Sequence, residues 1–308
     1  MQIMRMDVEY LGESGFLVSS GEEALLFDPG AGEEEAHILP EADALAAFRK
    51  LTVFVTRPGE AHLSPELRGR CPAGTAFVLS SDLPEEEEGT RMAAGDSLEV
   101  NGVKITACPS TDAGIAFLCE WLGARVFHAG GLNLWHWRDI STIPEIEAAE
   151  QAFNDCLSAI PNETIDLAFF PLDPRQGRMY DAGAGAFVMT VKPRVLIPMQ
   201  FRGRQDAAED FAVRGSTSAT RVEVLPQAGE KLTVTLPDPE SGAEPEETER
   251  TEEAAEMAEE SPTETEPAPE GARAAAEEGT GLREEDRTEV AEPGHTAESV
   301  GMYKAEEE

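Results

Sequence analysis

Cysteine is scarce, and what there is has no framework spacing. Four cysteines occur in 308 residues, Cys71, Cys108, Cys119 and Cys156. None forms a Cys-x-x-Cys pair, which argues against a zinc ribbon. Positive charge is equally thin: 24 Lys and Arg stand against 61 Asp and Glu. A surface so acidic repels nucleic acid and anionic membrane, so neither is expected as a partner. No apolar run approaches membrane-spanning length, and the opening MQIMRMDVEYLGESG has no apolar signal core. The expectation is a cytoplasmic chain with reduced thiols. There is no solenoid repeat, no Walker string and no dinucleotide-binding glycine pattern after a strand. Asp, His and Ser are present, but the Gly-x-Ser-x-Gly elbow of a serine hydrolase is not.

What is present divides near Leu236. Residues 237–308 carry 25 acidic and 5 basic residues, so −20 of the formal −37 lies there and −17 on residues 1–236. The later segment is rich in Glu, Ala, Thr and Pro and nearly free of aromatics. Such a composition buries too little apolar surface to offset the entropy of ordering, so it is expected to be a disordered acidic tail. Its reading is a solubilising appendage, or a segment that docks on a basic partner. Residues 1–236 hold nearly all the Val, Ile, Leu, Phe and Trp, enough for one domain with a sizeable core.

Along that domain, Met4–Tyr10, Gly15–Ser19 and Ala24–Phe27 read as strands joined by glycine turns, an antiparallel start stopped by Asp28-Pro29-Gly30. Glu41–Arg49 has helical spacing, Thr52–Thr56 is a buried strand with a loop at Arg57–Glu60, Ser64–Gly69 a short helix and Thr75–Ser80 a strand before the acidic loop Glu85–Glu88. Ser97–Val100, Val103–Cys108, Ile115–Trp121 and Ala124–His128 return to strand, with a hairpin signal at Asn101-Gly102. Ile143–Ile160 is an amphipathic helix, Leu167–Pro171 a strand, Ala182–Thr190 a helix and Val195–Pro198 a strand, and Val222–Val224 and Leu232–Leu236 can close the sheets. Polar residues repeatedly follow the C-terminal ends of apolar strands, the usual place for a site. The order predicts two sheets with helices outside.

Seven strings in this order are YLGESGFLV at 10–18, LLFDPG at 25–30, VFVTRPGEAHLSPEL at 53–67, PSTDAGIAFL at 109–118, FHAGGLNLWHW at 127–137, DLAFFPLDPR at 166–175 and PMQF at 198–201. Together they resemble one branch of the metallo-β-lactamase superfamily over residues 3 to about 202. The resemblance implies an α+β fold, a four-layer αββα sandwich, with a two-metal site at one sheet edge and metal-dependent hydrolysis as the family's chemistry.

The departures bear on that chemistry. The family loop Ser-His-x-His-x-Asp-His stands here as Thr56, Arg57, Pro58, Gly59, Glu60, Ala61, His62. The metal-bridging aspartate of FHAGDLNxWHW is Gly131, the histidine of PMHF is Gln200, and the histidine of the early YGHSG string is Glu13. Zinc needs three or four N, S or O donors. Arginine stays protonated and offers no lone pair, and Gly59, Ala61 and Gly131 offer no side chain. Without metal, no bound water becomes a nucleophile near neutral pH. His62 is the one retained metal-ligand candidate; its bland reading is a histidine held by its loop. Asp28, Arg57, Ser110, Thr111, Asp112, His128, Asn133, His136 and Gln200 are the candidate ligand-binding residues.

Each has a structural alternative. Arg57 pairs with an anionic ligand, or fills the metal volume within hydrogen-bond reach of Asp28, Glu13 or Asp112. Ser110, Thr111 and Asp112 contact a ligand or cap a turn. His128, Asn133, Trp135, His136 and Trp137 form a pocket rim or a packed plug. Asp173 and Arg175 pair with each other or cap a helix. The function expected is that of a catalytically inactive relative, a binding or regulatory module for a small molecule or protein with no cofactor. The alternative is an active hydrolase with a reduced or rebuilt zinc centre using His62, Asp112, His128 or His136.

Overall fold

The computed structural model describes residues 4–31, 37–137 and 140–236. The expected acidic tail, 237–308, lies outside the described residues. Alternation of side chains along short β-branched and aromatic runs builds two seven-stranded sheets. The first contains β1 (Met4–Gly12), β2 (Gly15–Ser20), β3 (Glu23–Phe27), β4 (Lys50–Val55), β5 (Ala76–Ser80), β6 (Thr90–Met92) and β14 (Lys231–Leu236), in the order β14-β1-β2-β3-β4-β5-β6. The second contains β7 (Ser97–Val100), β8 (Val103–Pro109), β9 (Ile115–Trp121), β10 (Ala124–His128), β11 (Leu167–Pro171), β12 (Val195–Met199) and β13 (Arg221–Val222), in the order β13-β12-β11-β10-β9-β8-β7. In the first sheet β1, β2, β3 and β14 run antiparallel and β3 through β6 parallel. The second repeats the plan, antiparallel from β7 to β10 and parallel from β10 to β13.

The period of two sorts the core. In β3, Leu25 and Phe27 face the other sheet, while Ala24 and Leu26 join a separate apolar layer with Leu45, Leu51, Val53 and Leu67. That outer layer is covered by α1 (Ala42–Ala46) and α2 (Leu67–Arg70). Between the sheets, Phe16 stacks on Phe169 with ring centres 4.0 Å apart, and Phe54 meets Phe117 edge-on at 5.2 Å. On the far side of the second sheet, Phe170 lies against Phe187 of α4 (Ala182–Val191) and Phe153 of α3 (Ile143–Ala159). A fifth helix, α5 (Gln205–Gly215), buries Ala207, Ala208 and Phe211. The result is the αββα sandwich. No described helix is long and apolar enough to cross a membrane.

Several boundaries differ from the sequence reading. The helix expected over Glu41–Arg49 ends at Ala46, because the sheet captures its continuation: the Glu22 carbonyl accepts from the N–H groups of Arg49 and Lys50. The short helix is Leu67–Arg70 rather than Ser64–Gly69. β13 starts one residue early, since Arg221 N–H donates to the Arg194 carbonyl. β6, α5 and a 3-10 turn at Pro174–Met179 were not expected.

Candidate functional site

Parallel strands deliver their C-terminal ends to one side, and the loops that follow carry the candidate residues. Asp28 follows β3, Thr56 and Arg57 follow β4, Gly130 and Gly131 follow β10, Asp173 follows β11 and Gln200 follows β12. Backbone hydrogen bonds bind these loops together: Asp28 N–H donates to the Phe54 carbonyl, Leu172 to Met199, and Gln200 to Glu13. Asp28, Glu13 and Gln200 adopt left-handed backbone with φ of 41°, 48° and 58°. Such φ values are uncommon for residues other than glycine and often mark functional turns.

At the centre is a buried polar set. The Asp28 carboxylate, fully buried, accepts from Thr56 N–H at 2.8 Å and from Thr56 Oγ1 at 2.7 Å. His62 Nδ1 lies 3.0 Å from Asp28 Oδ2 and 3.1 Å from Ser14 Oγ. Burial pushes the Asp28 carboxyl up, but His62, His128 and the Thr56 N–H outweigh it and hold it at about 2. His128 is also fully buried, stacked on Phe27 at 5.0 Å. Its Nδ1 accepts from Gly130 N–H, so Nε2 carries the proton and donates to the Ser14 carbonyl at 2.8 Å. Burial lowers the His128 pKa against the opposing pull of Asp28 and that carbonyl.

Arg57 closes this centre. Its Nε donates to His62 Nε2 at 2.6 Å, and its Nη1 pairs with Asp112 Oδ2. Because guanidinium only donates, His62 must present a lone pair at Nε2 and carry its proton on Nδ1. Of the three carboxylates named from sequence, Arg57 reaches Asp112 and neither Asp28 nor Glu13; Asp28 has Thr56 and His62 instead. Gly131 leaves room for this. A Cβ there would stand 3.2 Å from Arg57 Nη1 and 3.3 Å from Asp112 Oδ2.

A second ionic group lies beside it. Asp173, fully buried, takes Arg175 Nε at 3.0 Å and Arg175 Nη2 at 2.5 Å, with Arg202 Nε 3.5 Å away. Asp173 also accepts from Arg175 N–H, so it both pairs and caps the 3-10 turn. Glu13 faces His37 at 3.6 Å. Burial works to raise Glu13, but the nearby His37, with His62 and Arg202, brings it below the usual carboxylate range.

The remaining candidates divide. Thr111 Oγ1 donates to the Asn133 carbonyl at 2.5 Å, and Asn133 Nδ2 donates to Gln176 Oε1 at 3.1 Å, so both brace the loop after β10. Ser110 Oγ accepts from Asp112 N–H, an ordinary turn bond. Gln200 Nε2 points at the Gly130 carbonyl, 3.4 Å away. His136 is buried with neither ring nitrogen hydrogen-bonded. Trp135 Nε1 donates to the Gly131 carbonyl at 2.8 Å and its indole stacks on Trp137, which is 37% exposed, so this pair is not core.

The fold implies a metal centre, and the residues do not fit one. The His62 Nε2 lone pair is taken by Arg57, and the space a side chain at 131 would enter is bounded by a guanidinium. Gln200 is engaged with backbone. Among the described residues, no group of three or more His, Cys, Asp or Glu could hold a metal ion. The thiols offer no substitute: burial pushes Cys108 up to about 11 and Cys119 well above the ordinary thiol value.

Ser14, Thr56, His37, Gln176 and Arg202 were absent from the sequence-based set. Arg202 directly follows the PMQF string, and Thr56 opens the loop that resembles the family's Ser-His string, so those two carried a signal. Ser14, His37 and Gln176 meet their partners only through long-range folding.

No family model matches the chain, and no curated protein does. Solved structures are similar. Igni18, a metallo hydrolase from the archaeon Ignicoccus hospitalis KIN4/I, aligns over 75% of this chain and 98% of its own at 18% identity, TM-score 0.52. The metallo-β-lactamase fold protein YhfI from Bacillus subtilis aligns over 75% and 100% at 14% identity, TM-score 0.47. At such identity the likeness is one of fold: two sheets flanked by helices, the metallo-β-lactamase fold.

Proposed function

We propose that this chain, built on a fold shared with metal-dependent hydrolases, is a non-hydrolytic binding module whose cationic centre is an arginine side chain. The observation that carries the reading is the placement of Arg57, which donates to His62 and pairs with Asp112. A fixed guanidinium supplies positive charge and directional donors, but cannot accept an electron pair or acidify a bound water. The elements around it favour binding over chemistry: Asp28 is enclosed by donors, His128 is locked in one tautomer, and the buried thiols are held protonated. In this role the domain senses a small molecule or protein and passes that state to a partner.

The test is elemental. The full chain, purified without a histidine tag, is assayed for Zn, Mn and Fe after growth in metal-replete medium. The expected content is far below one ion per chain. Near-stoichiometric metal would overturn the reading and restore that of a hydrolase with a rebuilt centre.

A further inference from the structure

We propose that the site receives a small organic anion, a phosphonate- or phosphate-type oxyanion bearing an aromatic group. The oxyanion sits on Arg57 in place of the Asp112 carboxylate, and the ring lies on the Trp135–Trp137 pair. The proposal rests on the metal-free reading above and names the ligand class of that site.

Three adjacencies carry it. Arg57 spends Nε on His62 and Nη1 on Asp112, and Nη2 makes no hydrogen bond to a described residue; the side chain is 19% exposed. The guanidinium is therefore held rigid on one edge and open on another, the geometry that suits oxyanion recognition. Asp112 is 43% exposed. An ion pair so wet contributes little and is displaced at small cost, so Asp112 acts as an internal occupant that a stronger anion replaces. The aromatic surface adjoins this point through Gly131. That glycine stands against Arg57 Nη1 on one side, and its carbonyl takes the Trp135 indole N–H on the other. Trp135 stacks on Trp137, ring centres 6.4 Å apart, and Trp137 presents an exposed face. An exposed large aromatic beside a charged anchor is the pairing by which amphipathic ligands are held. Ser110, whose Oγ accepts from Asp112 N–H, keeps its own hydroxyl proton for the incoming anion.

The chain contains its own reporter. Of its three tryptophans, Trp121 is buried in the sandwich, leaving Trp135 and Trp137 to sense the site. Metal content is measured first on the sample used, so failure of the metal-free reading is seen separately. Phenylphosphonate, methylphosphonate and inorganic phosphate are then titrated into the full chain, followed by tryptophan fluorescence and calorimetry. Phenylphosphonate is expected to bind more tightly than methylphosphonate by about fivefold. Arg57→Gln is expected to weaken it by about tenfold or more, and Asp112→Asn to tighten it severalfold. Trp137→Ala is expected to remove the preference for the phenyl group, so that phenylphosphonate and methylphosphonate bind alike. Thermal melts of each variant separate lost binding from lost folding. Metal-free wild-type protein that ignores phenylphosphonate up to about 10 mM, where even the weakest specific site would respond, overturns the proposal. So does a folded Arg57→Gln variant that binds as wild type. A phenyl preference that survives Trp137→Ala overturns the aromatic half.

Discussion

A guanidinium that donates to an imidazole nitrogen fixes the state of both groups. His62 Nε2 is buried and, among the described residues, has Arg57 Nε as its only hydrogen-bond donor. Removing that donor leaves a desolvated lone pair, which costs about 1–3 kcal/mol. The Asp112 pair adds less than about 1 kcal/mol, because Asp112 is exposed. Arg57→Ala is therefore expected to destabilise the domain by about 1–3 kcal/mol in urea denaturation, and Asp112→Asn by less than about 1 kcal/mol. Equal losses from the two substitutions would assign the effect to charge pairing instead. The buried groups beneath set the acid response. His128 is lowered in the folded chain, mainly by burial, so below pH about 6.5 the unfolded chain binds a proton that the folded chain refuses, and stability falls. Asp28 is held at about 2, so its contribution is complete above pH about 4 and is lost as pH falls from there through 2. Comparing urea midpoints across pH, His128→Gln should flatten the upper leg and Asp28→Asn the lower. An unchanged profile in Asp28→Asn would contradict its assigned role.

At the scale of elements, the brace between the loop after β10 and α4 is a tightly constrained contact. Gly183, in the first turn of α4, faces Asn133: a Cβ there would stand 2.0 Å from Asn133 Oδ1, which accepts from Leu134 N–H. Gly183→Ala must push Asn133 off Gln176 and Thr111, so a loss of about 2–4 kcal/mol is expected, combining overpacking with broken buried hydrogen bonds. Gly185 has open space around its Cβ position and serves as the control, since Gly185→Ala should stabilise α4 slightly. A Gly183→Ala variant as stable as wild type would remove the brace from the account. Elements of this kind were unevenly legible in the sequence. The apolar strands β3, β4, β9, β11 and β12 stood out because burial on both faces demands continuous apolar runs. β6 has three residues, too few for a period, and α5 buries little besides Ala207, Ala208 and Phe211, with Ala212 packed beside them.

At the scale of the whole molecule, the strings that resemble the superfamily made the sandwich and the general location of the site legible. The pairing within the site was not, because it depends on which loop approaches which. Arg57 reaching Asp112 follows from the loops after β4 and β8 meeting beside Gly131, a consequence of sheet stacking that no local spacing encodes. The same geometry decides what restoring a metal centre requires. Gly131→Asp alone places a carboxylate against Arg57 Nη1, and the two will pair with each other. Arg57→His alone leaves Gly59, Ala61 and Gly131 without donors. Gly59→His alone must adopt φ of 123°, which L side chains rarely tolerate, and it still faces a guanidinium. Each single replacement thus meets an obstacle another replacement removes, and chelation gains strength only when three or more ligands converge. The combined variant Arg57→His, Gly59→His, Ala61→Asp, Gly131→Asp and Gln200→His is expected to bind zinc near stoichiometrically, read by calorimetry and elemental analysis. Every single variant is expected to bind none. Tight zinc binding by any single variant that keeps Arg57 would mean that the arginine does not keep metal out.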